Sequence, residues 1–561
     1  MALTCSERTP ALPNGLFNWV ESFWKIPDAH SLRHHTLDAY LFLRFLRICT
    51  IICFTGLCMT WPILFPLNIT GGGSLKLLDM LSMSNINTGS QSKRDRLYAH
   101  VLVGWLFYGF VLYMILRECI FYINLRQAYL LAPQHARRIS SRTVLFTYVP
   151  DMYLNEARLH AIFGNSAKRI WITRDTKELE TLVKERTKIA MKLEKAEVNL
   201  LKLCNKERLK AIKKGSLTDK KGALADKTPP TQDHESGSIS AQLIPNKKRP
   251  SHRLGPLGLV GKKVDTIEWC RSELQRLIPR IETAQANYKA LNTKAIPAIF
   301  VEFHTQSDAQ AAFQVLTCHH PLHIVPKHIG VRPEEIIWKN LSLSWWQRTF
   351  RRYAIIAFIL ALIIFWFIPV IFVTTLSQIS YLASMFKGLS FINKIPEVVH
   401  HLFAKLLSAI SLIVLMALIP VILKPCGELS GELTDSRVEL FAQNAYFTFQ
   451  VAHVFLAPML STLAMEGLIL GFSPSRIFEA LERTLFKVPD FYIILLISQG
   501  LIIAVSVIDR VFGFIIFHLM YRFFTKTPRA LYKRWTTLSA VSWAKTMPIY
   551  ANIIVISKLA A

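Results

Sequence analysis

The sequence predicts a polytopic α-helical membrane protein with an α+β domain set between two groups of membrane helices. Three observations predict it. The chain is 52% hydrophobic, and its apolar residues are gathered into long blocks. One stretch, residues 126–340, breaks that pattern with short strands and charged helices. The net charge of +28 falls in clusters at alternate ends of the blocks.

A hydrocarbon core of ~30 Å takes ~20 apolar residues in a helix. Seven stretches reach or approach that length: 41–65, 99–124, 353–379, 397–423, 438–465, 490–521 and 537–558. Backbone groups in lipid must be satisfied within the segment, and these runs are too long for barrel strands, so each reads as a helix. The positive charge is then topological. Lys25, Arg33, Arg44 and Arg47 lie before or at the start of the first span, and Arg126, Arg137, Arg138 and Arg142 follow the second. Arg348, Arg351 and Arg352 precede the third, and Arg522, Lys526, Arg529, Lys533 and Arg534 lie between the sixth and seventh. One orientation places all of these in the cytosol, with residues 1–40 as a cytosolic segment and 41–124 as two spans joined by an outside loop, 66–98. The triplet Asn68-Ile69-Thr70 in that loop is a sequon, making Asn68 a glycosylation candidate. Trp345 and Trp346 beside Arg348 mark an interface. Residues 1–36 hold no continuous apolar run of the secretory type. The nine cysteines, among them Cys49, Cys53, Cys58 and Cys119 within spans, form no C-x-x-C pair and read as packing residues.

Residues 125–340 read as a cytosolic domain. Strands are expected at 142–150, 167–175, 297–303 and 329–333, and helices at 155–164 and 307–318. Charged helical patterns at 176–214 and 264–292 form a hairpin around a polar stretch, 215–262, that is expected to be disordered. The order β-α-β-hairpin-β-α-β predicts a ferredoxin-like, RRM-like sheet. RNA binding is not expected of it, because Leu145 and Ala298 occupy the positions where bases would stack on aromatics. Cys318, His319, His320, His323 and His328 repeat no structural-zinc spacing, so they read as a surface turn and no metal is expected. Residues 473–489 read as an amphipathic helix on the outer interface, with Ile477, Phe478, Leu481 and Leu485 on one face.

Residues 341–561 form the pore-type region, of about five helices, and its polar residues fall in stripes. Gln443, Tyr446, Gln450 and His453 are spaced by 3, 4 and 3 positions, which keeps them on one face of the fifth span. Gln499, Ser506, Asp509, Arg510 and Gly513 share a face of the sixth. The segment 490–524 exceeds the hydrocarbon thickness, and Gly500 and Gly513 are candidate hinges. Lys405, with His401 and Ser408 on the fourth span, is a candidate partner for Asp509. Charges at that depth usually face water or a bundle interior, so these residues are pore-lining candidates beside a structural reading as interhelical bonds. No phosphate-cradling glycine loop, zincin pair or nucleophile elbow is present, so neither an enzyme nor a cofactor is expected.

The stretches "RTVLFTYVP", "PEEIIWKNLSLSWWQRTFRR", "AQNAYFTFQVAHVFLAP" and "KTPRALYKRWTTL" resemble the OSCA family of stress-gated, calcium-permeable cation channels, in particular its fungal-type members. The resemblance runs from about residue 12 to 557, in a form truncated at both ends. It implies an anoctamin-like channel fold, an ion path among the five spans from 353 onward, and opening by membrane tension or osmotic stress. The partners it implies are the lipid bilayer and permeating cations including calcium, with a homodimer as the candidate assembly, in the plasma membrane or an endomembrane. Asp509 would attract cations, whereas a pore-facing Arg510 would repel them. Two other functions stay open: a lipid scramblase or transporter using the same polar groove, and a non-conducting scaffold or trafficking protein.

Overall fold

A computed structural model describes residues 15, 18–34, 36–74, 80–87, 89, 91–213, 248–254, 261–320, 322–376, 397–460, 463, 481, 492–504, 511–525, 527–536 and 542–560. At some helical positions, among them 371–376, 397–409, 511–512 and 554–560, it describes the backbone alone. The chain divides into two compact units, Met1–Leu130 with His453–Leu496 and Tyr550–Ala561, and Leu131–Ala452 with Ile497–Ile549.

The first unit is built on helices α1 (Leu37–Ile69) and α2 (Leu97–Leu131). Thr36 starts α1 by accepting a bond from the Ala39 N–H, which satisfies one of the orphan donors of the first turn. The two helices pack through Ile52, Phe107, Val111 and Met114. Gly56 makes that contact close: a Cβ there would lie 2.9 Å from Phe107 Cε2. Arg44 grips Glu118 with two bonds, Nε to Oε2 at 2.6 Å and Nη2 to Oε1 at 3.0 Å, and its guanidinium lies 3.4 Å from the Phe121 ring centre.

Asn68 is only 4% exposed. Its Nδ2, the atom a glycan would occupy, donates to Leu81 O at 2.8 Å, and its main-chain carbonyl accepts from Asn85 Nδ2 at 2.9 Å. In this conformation the sequon is folded into the end of α1.

The second unit contains the α+β domain. Its strands are β1 (Thr143–Thr147), β2 (Ala167–Arg174), β3 (Ser251–Arg253), β4 (Lys263–Asp265), β5 (Ala295–Phe303) and β6 (Lys327–Ile329). Four of them form an antiparallel sheet in the order β2-β5-β1-β6, with Leu145 opposite Phe300 and Val144 opposite Ile329. Helix α3 (Glu156–Phe163) joins β1 to β2 and helix α6 (Gln306–Gln314) joins β5 to β6, as the alternating pattern predicts. Successive strand residues face opposite sides. Val144, Phe146, Ile299, Val301 and Phe303 therefore share one core with Leu159 of α3 and Ala309 of α6. Between β2 and β5 runs the expected hairpin, α4 (Lys177–Lys213) and α5 (Thr266–Lys289). Leu182 and Ile189 meet Cys270, Leu277 and Ile281 at near-heptad spacing, which is the seam of a two-helix coil.

Contrary to expectation, the stretch 215–262 is not disordered throughout: it contains β3, which pairs antiparallel with β4 from Ser251↔Asp265 to Arg253↔Lys263. Residues 214–247 and 255–260 of that loop lie outside the described residues. The hairpin is legible afterwards: Ser251, His252 and Arg253 are backbone donors and acceptors set beside the Asp265 cap of α5, whose carboxylate takes the Ile267 N–H at 2.8 Å.

Membrane-type helices continue the second unit: α7 (Trp345–Leu376), α8 (Glu397–Leu429) and α9 (Asp435–Gln450). After α9 come helical residues 492–504, α10 (Val511–Phe523), the amphipathic α11 (Pro528–Thr536) and α12 (Trp543–Ala560). Among the described residues, four helices are long and apolar enough to span a membrane: Leu37–Ile69, Leu97–Leu131, Trp345–Val370 and Ile410–Leu429. The fifth expected span is helical from 435 to 460, and the sixth is described as helix at 492–504 and 511–523. The amphipathic helix expected at 473–489 lies outside the described residues, apart from a single helical position at 481.

Candidate functional site

The site begins with a proline. Helix α8 contains Pro420, which has no N–H and so cannot bond the carbonyl four residues back, at Met416. A buried carbonyl without a donor costs about 1–3 kcal/mol. The Tyr446 hydroxyl of α9 donates to that carbonyl at 3.3 Å, and Gln450 Nε2 donates to the Tyr446 oxygen at 2.7 Å. Gly427 lets the two helices approach, since a Cβ there would sit 3.0 Å from Val438 Cγ1. Phe449, one position before Gln450, meets Trp366 of α7 edge-on with ring centres 6.5 Å apart.

The stripe read from the sequence is therefore real as a face, but this conformation turns it inward. Tyr446 is 1% exposed and Gln450 2%, and Gln443 is half-buried. Tyr446 and Gln450 make the interhelical bonds that are the alternative to lining water, because the carbonyl freed by Pro420 offers them a protein partner. Directly after Gln450 the chain widens into a π-helix, Val451–Leu456, which contains the fully buried His453. Such turns have a surplus residue in the helical ladder and are frequent at functional sites. Pro458 follows, and its missing N–H removes the α-helical donor for Val454 O. Tyr492 donates its hydroxyl to Phe455 O at 2.5 Å, with the two rings stacked at 6.1 Å.

Of the other stripe, Gln499 is described and is 7% exposed, next to the buried Ser498. Ser506, Asp509 and Arg510 lie outside the described residues, and so do the side chains of His401, Lys405 and Ser408. Gly500 and Gly513 both sit in helix, and a Cβ at either would meet nothing within 4 Å. Packing does not demand glycine at these two positions.

Sequence reasoning missed the junction below these helices. The last carbonyls of α8 and those of the turn beyond it have no helical donors, so they recruit others. Asn340 Nδ2 bonds Glu428 O at 3.0 Å and Glu432 O at 2.7 Å, and the Ile337 N–H bonds Leu433 O at 2.9 Å. Gly431, at φ +91°, makes the turn, and a Cβ there would strike Arg348 Cγ at 2.9 Å. The path it leaves open brings Arg348 to 3.6 Å from Glu432. Leu433 also joins a core with Leu145, Ala298, Ile336 and Leu341. The sheet face on which an RNA-binding domain would stack bases is thus covered by the chain's own α8–α9 turn and linker. A second attachment runs from the hairpin: Glu194 of α4 accepts the Arg529 N–H at the start of α11 at 3.1 Å and lies 3.6 Å from the Arg529 guanidinium.

His328 of β6 is 7% exposed at this junction. Burial, reinforced by Arg437 and Arg348, pushes its imidazole down to about 4, so it is neutral at cytosolic pH. Its histidine and cysteine neighbours in sequence form no metal-binding group among the described residues, though the rings of His319 and His320 lie 4.1 Å apart.

These elements define a helical membrane protein whose cytosolic α+β domain is fastened to its membrane-type helices. Three family descriptions match the chain in order. They are "Late exocytosis, associated with Golgi transport" over 2–118, "Cytosolic domain of 10TM putative phosphate transporter" over 141–340, and "Calcium-dependent channel, 7TM region, putative phosphate" over 351–558. "Uncharacterized protein RSN1" of Saccharomyces cerevisiae is 35% identical over 549 residues, covering 97% of this chain and 55% of its own length. "Phosphate metabolism protein 7" of the same yeast is 32% identical, covering 95% of this chain and 52% of its own length. "Hyperosmolality-gated Ca2+ permeable channel 1.4" of Arabidopsis thaliana is 25% identical, covering 91% and 62%. The chain belongs to the family that joins fungal RSN1-like proteins with the plant OSCA channels. It spans a little over half the length of these relatives.

Proposed function

We propose that this chain acts as a calcium-permeable, non-selective cation channel opened by membrane tension or osmotic stress. An anoctamin-like membrane region and a ferredoxin-like cytosolic domain belong to the same reading, and the strand order β2-β5-β1-β6 supports the latter. The observation that carries the proposal is the double attachment of the cytosolic domain to the channel-type helices. The linker after the sheet grips the α8–α9 turn through Asn340, Leu433 of that turn packs on the sheet, and the hairpin caps α11 through Glu194. Strain on those helices has a rigid body to act against. The relatives' names support calcium as a permeating ion.

In this reading α9 is the moving element. At rest the Tyr446 hydroxyl holds it to Met416 O, and the π-helix beyond stores a surplus residue. On opening, Tyr446 and Gln450 exchange protein partners for water and join Gln443 and His453 as pore lining. Gln499, Ser506 and Asp509 supply the facing stripe, with Asp509 attracting cations and Arg510 limiting their passage. Lys405 pairs with Asp509 in the closed state, and Gly500 and Gly513 absorb the bending. Two copies in the plasma membrane or an endomembrane complete the proposal.

Patches of liposomes containing the chain test it. Tension should evoke a cation current that carries calcium. Tyr446→Phe should lower the tension needed for half-maximal opening, and Asp509→Asn should reduce the calcium share of the current. Tension-evoked current that both variants leave unchanged would refute the site. Lipid flip without current would replace the channel by a scramblase, and neither activity in a folded protein would leave a scaffold.

A further inference from the structure

Two hollows of about 350 Å³ each flank the side chain of His328. One is bounded by Lys327, His328, Glu335, Ser436 and Arg437. The other is bounded by Lys327, His328, Trp345, Arg348, Arg352 and Arg437. Four cationic side chains thus converge from three elements: strand β6, the first two turns of α7 and the first turn of α9.

The acids present do not neutralise them. Glu335 is taken by Arg332, Nε to Oε1 at 2.7 Å, and by the Ser436 hydroxyl at 3.4 Å. Glu432 answers Arg348. Lys327 Nζ donates to Ala312 O at 3.0 Å and to Val315 O, so its position is fixed while its charge remains. Arg352 and Arg437 are exposed and have no carboxylate within ion-pair distance among the described residues. Between them sits a buried ring: His328 Nε2 is screened from solvent and makes no hydrogen bond among the described residues. The uncompensated cationic side chains that line both hollows fit an anion.

The donor set narrows the chemistry. Guanidinium groups converging from different elements suit a tetrahedral anion with several acceptor oxygens, which each can grip with two N–H groups. The start of the 32-residue α7 adds the positive end of its dipole. Trp345 and Trp346 open that helix, as residues at the membrane–water boundary do. We propose that this junction binds a phosphoryl-bearing anion, held by Arg348, Arg352 and Arg437 above His328. The ligand would tie β6 of the cytosolic sheet to the first turns of α7 and α9. It is either the phosphorylated headgroup of a membrane lipid or a soluble phosphate ester. The proposal stands whether or not the chain conducts ions.

Binding to the full chain in detergent micelles tests this, with three water-soluble probes: inorganic phosphate, inositol trisphosphate and dioctanoyl phosphatidylinositol bisphosphate. At least one should bind saturably. Arg352→Gln combined with Arg437→Gln should weaken that binding tenfold or more. These side chains are exposed, so the variant keeps its fold. The control pair Arg137→Gln with Lys533→Gln removes the same charge elsewhere and should leave binding unchanged. Tighter binding of the lipid than of inositol trisphosphate identifies a headgroup site, and the reverse or equality identifies a soluble ester. Absence of saturable binding by all three probes, or equal weakening by the two variant pairs, would overturn the proposal.

Discussion

Two helix pairs in this chain are fastened in opposite ways. Helices α1 and α2 meet through apolar side chains and a glycine, and carry their polar fastening as a charged pair, Arg44 with Glu118. Helices α8 and α9 also meet at a glycine, Gly427, but their fastening is neutral and lies well inside both helices, where Tyr446 and Gln450 serve the carbonyl freed by Pro420. A half-buried bidentate ion pair fixes one geometry, because either charge left alone is costly. A neutral bond in a membrane protein averages only about 0.6 kcal/mol, so water can replace it at little cost. The first pair is built as a static strut and the second as a joint.

The largest expected effect falls on the strut. The Arg44 and Glu118 side chains are 18% and 16% exposed. Arg44→Ala should destabilise the protein by about 3 kcal/mol, read from unfolding in mixed micelles. A loss no greater than that of a neutral hydrogen bond would dissolve the contrast between the pairs.

Next comes the junction beneath the joint. His328 has its folded-state pKa lowered to about 4 by burial, with Arg437 and Arg348 adding repulsion. The unfolded side chain titrates near ~6.5, so the unfolded state binds the extra proton between these values. Stability is therefore full above about pH 6.5 and falls as pH drops towards 4, by up to about 3 kcal/mol in all. His328→Gln should flatten that part of the profile of stability against pH. A profile identical to that of the unaltered protein would mean that the ring is not buried against these arginines. Smaller again is Asn340→Ala, which strips the bonds to Glu428 O and Glu432 O. It should cost about 2 kcal/mol by the same unfolding measurement.

The contrast also explains what could be read in advance. Long apolar runs and the period-2 strands declare α1, α2, α7 and the sheet, since both periods follow from local geometry. The spacing of Gln443, Tyr446 and Gln450 declares a common face for the same reason. What the face bonds to is set by Met416, 30 residues earlier, and by the proline that frees its carbonyl. A proline within an apolar span followed by a tyrosine on the next span was the available signal. The junction had none: Asn340, Gly431 and Glu432 lie in two short connections with no periodicity, and only the fold brings them together. At Asn68 the sequon reports three adjacent residues and not the depth of the amide.

The smallest effect separates a joint from an incidental contact. Tyr446→Phe removes the donor to Met416 O and the acceptor for Gln450, and should cost about 1 kcal/mol. Pro420→Ala restores a backbone N–H that can reach Met416 O within α8, so the carbonyl no longer depends on α9. In that background Tyr446→Phe should cost about half as much or less, and the double-mutant cycle should return a coupling of about 0.5–1 kcal/mol. The cycle is informative because Tyr446 and Pro420 lie on different helices, so simple loss of packing at either site would add without coupling. If the two losses add, Tyr446 merely fills space beside α8. If they couple, the bond between α9 and α8 is the one that Pro420 makes available, and a coupling of that size is about two- to fivefold in an equilibrium constant.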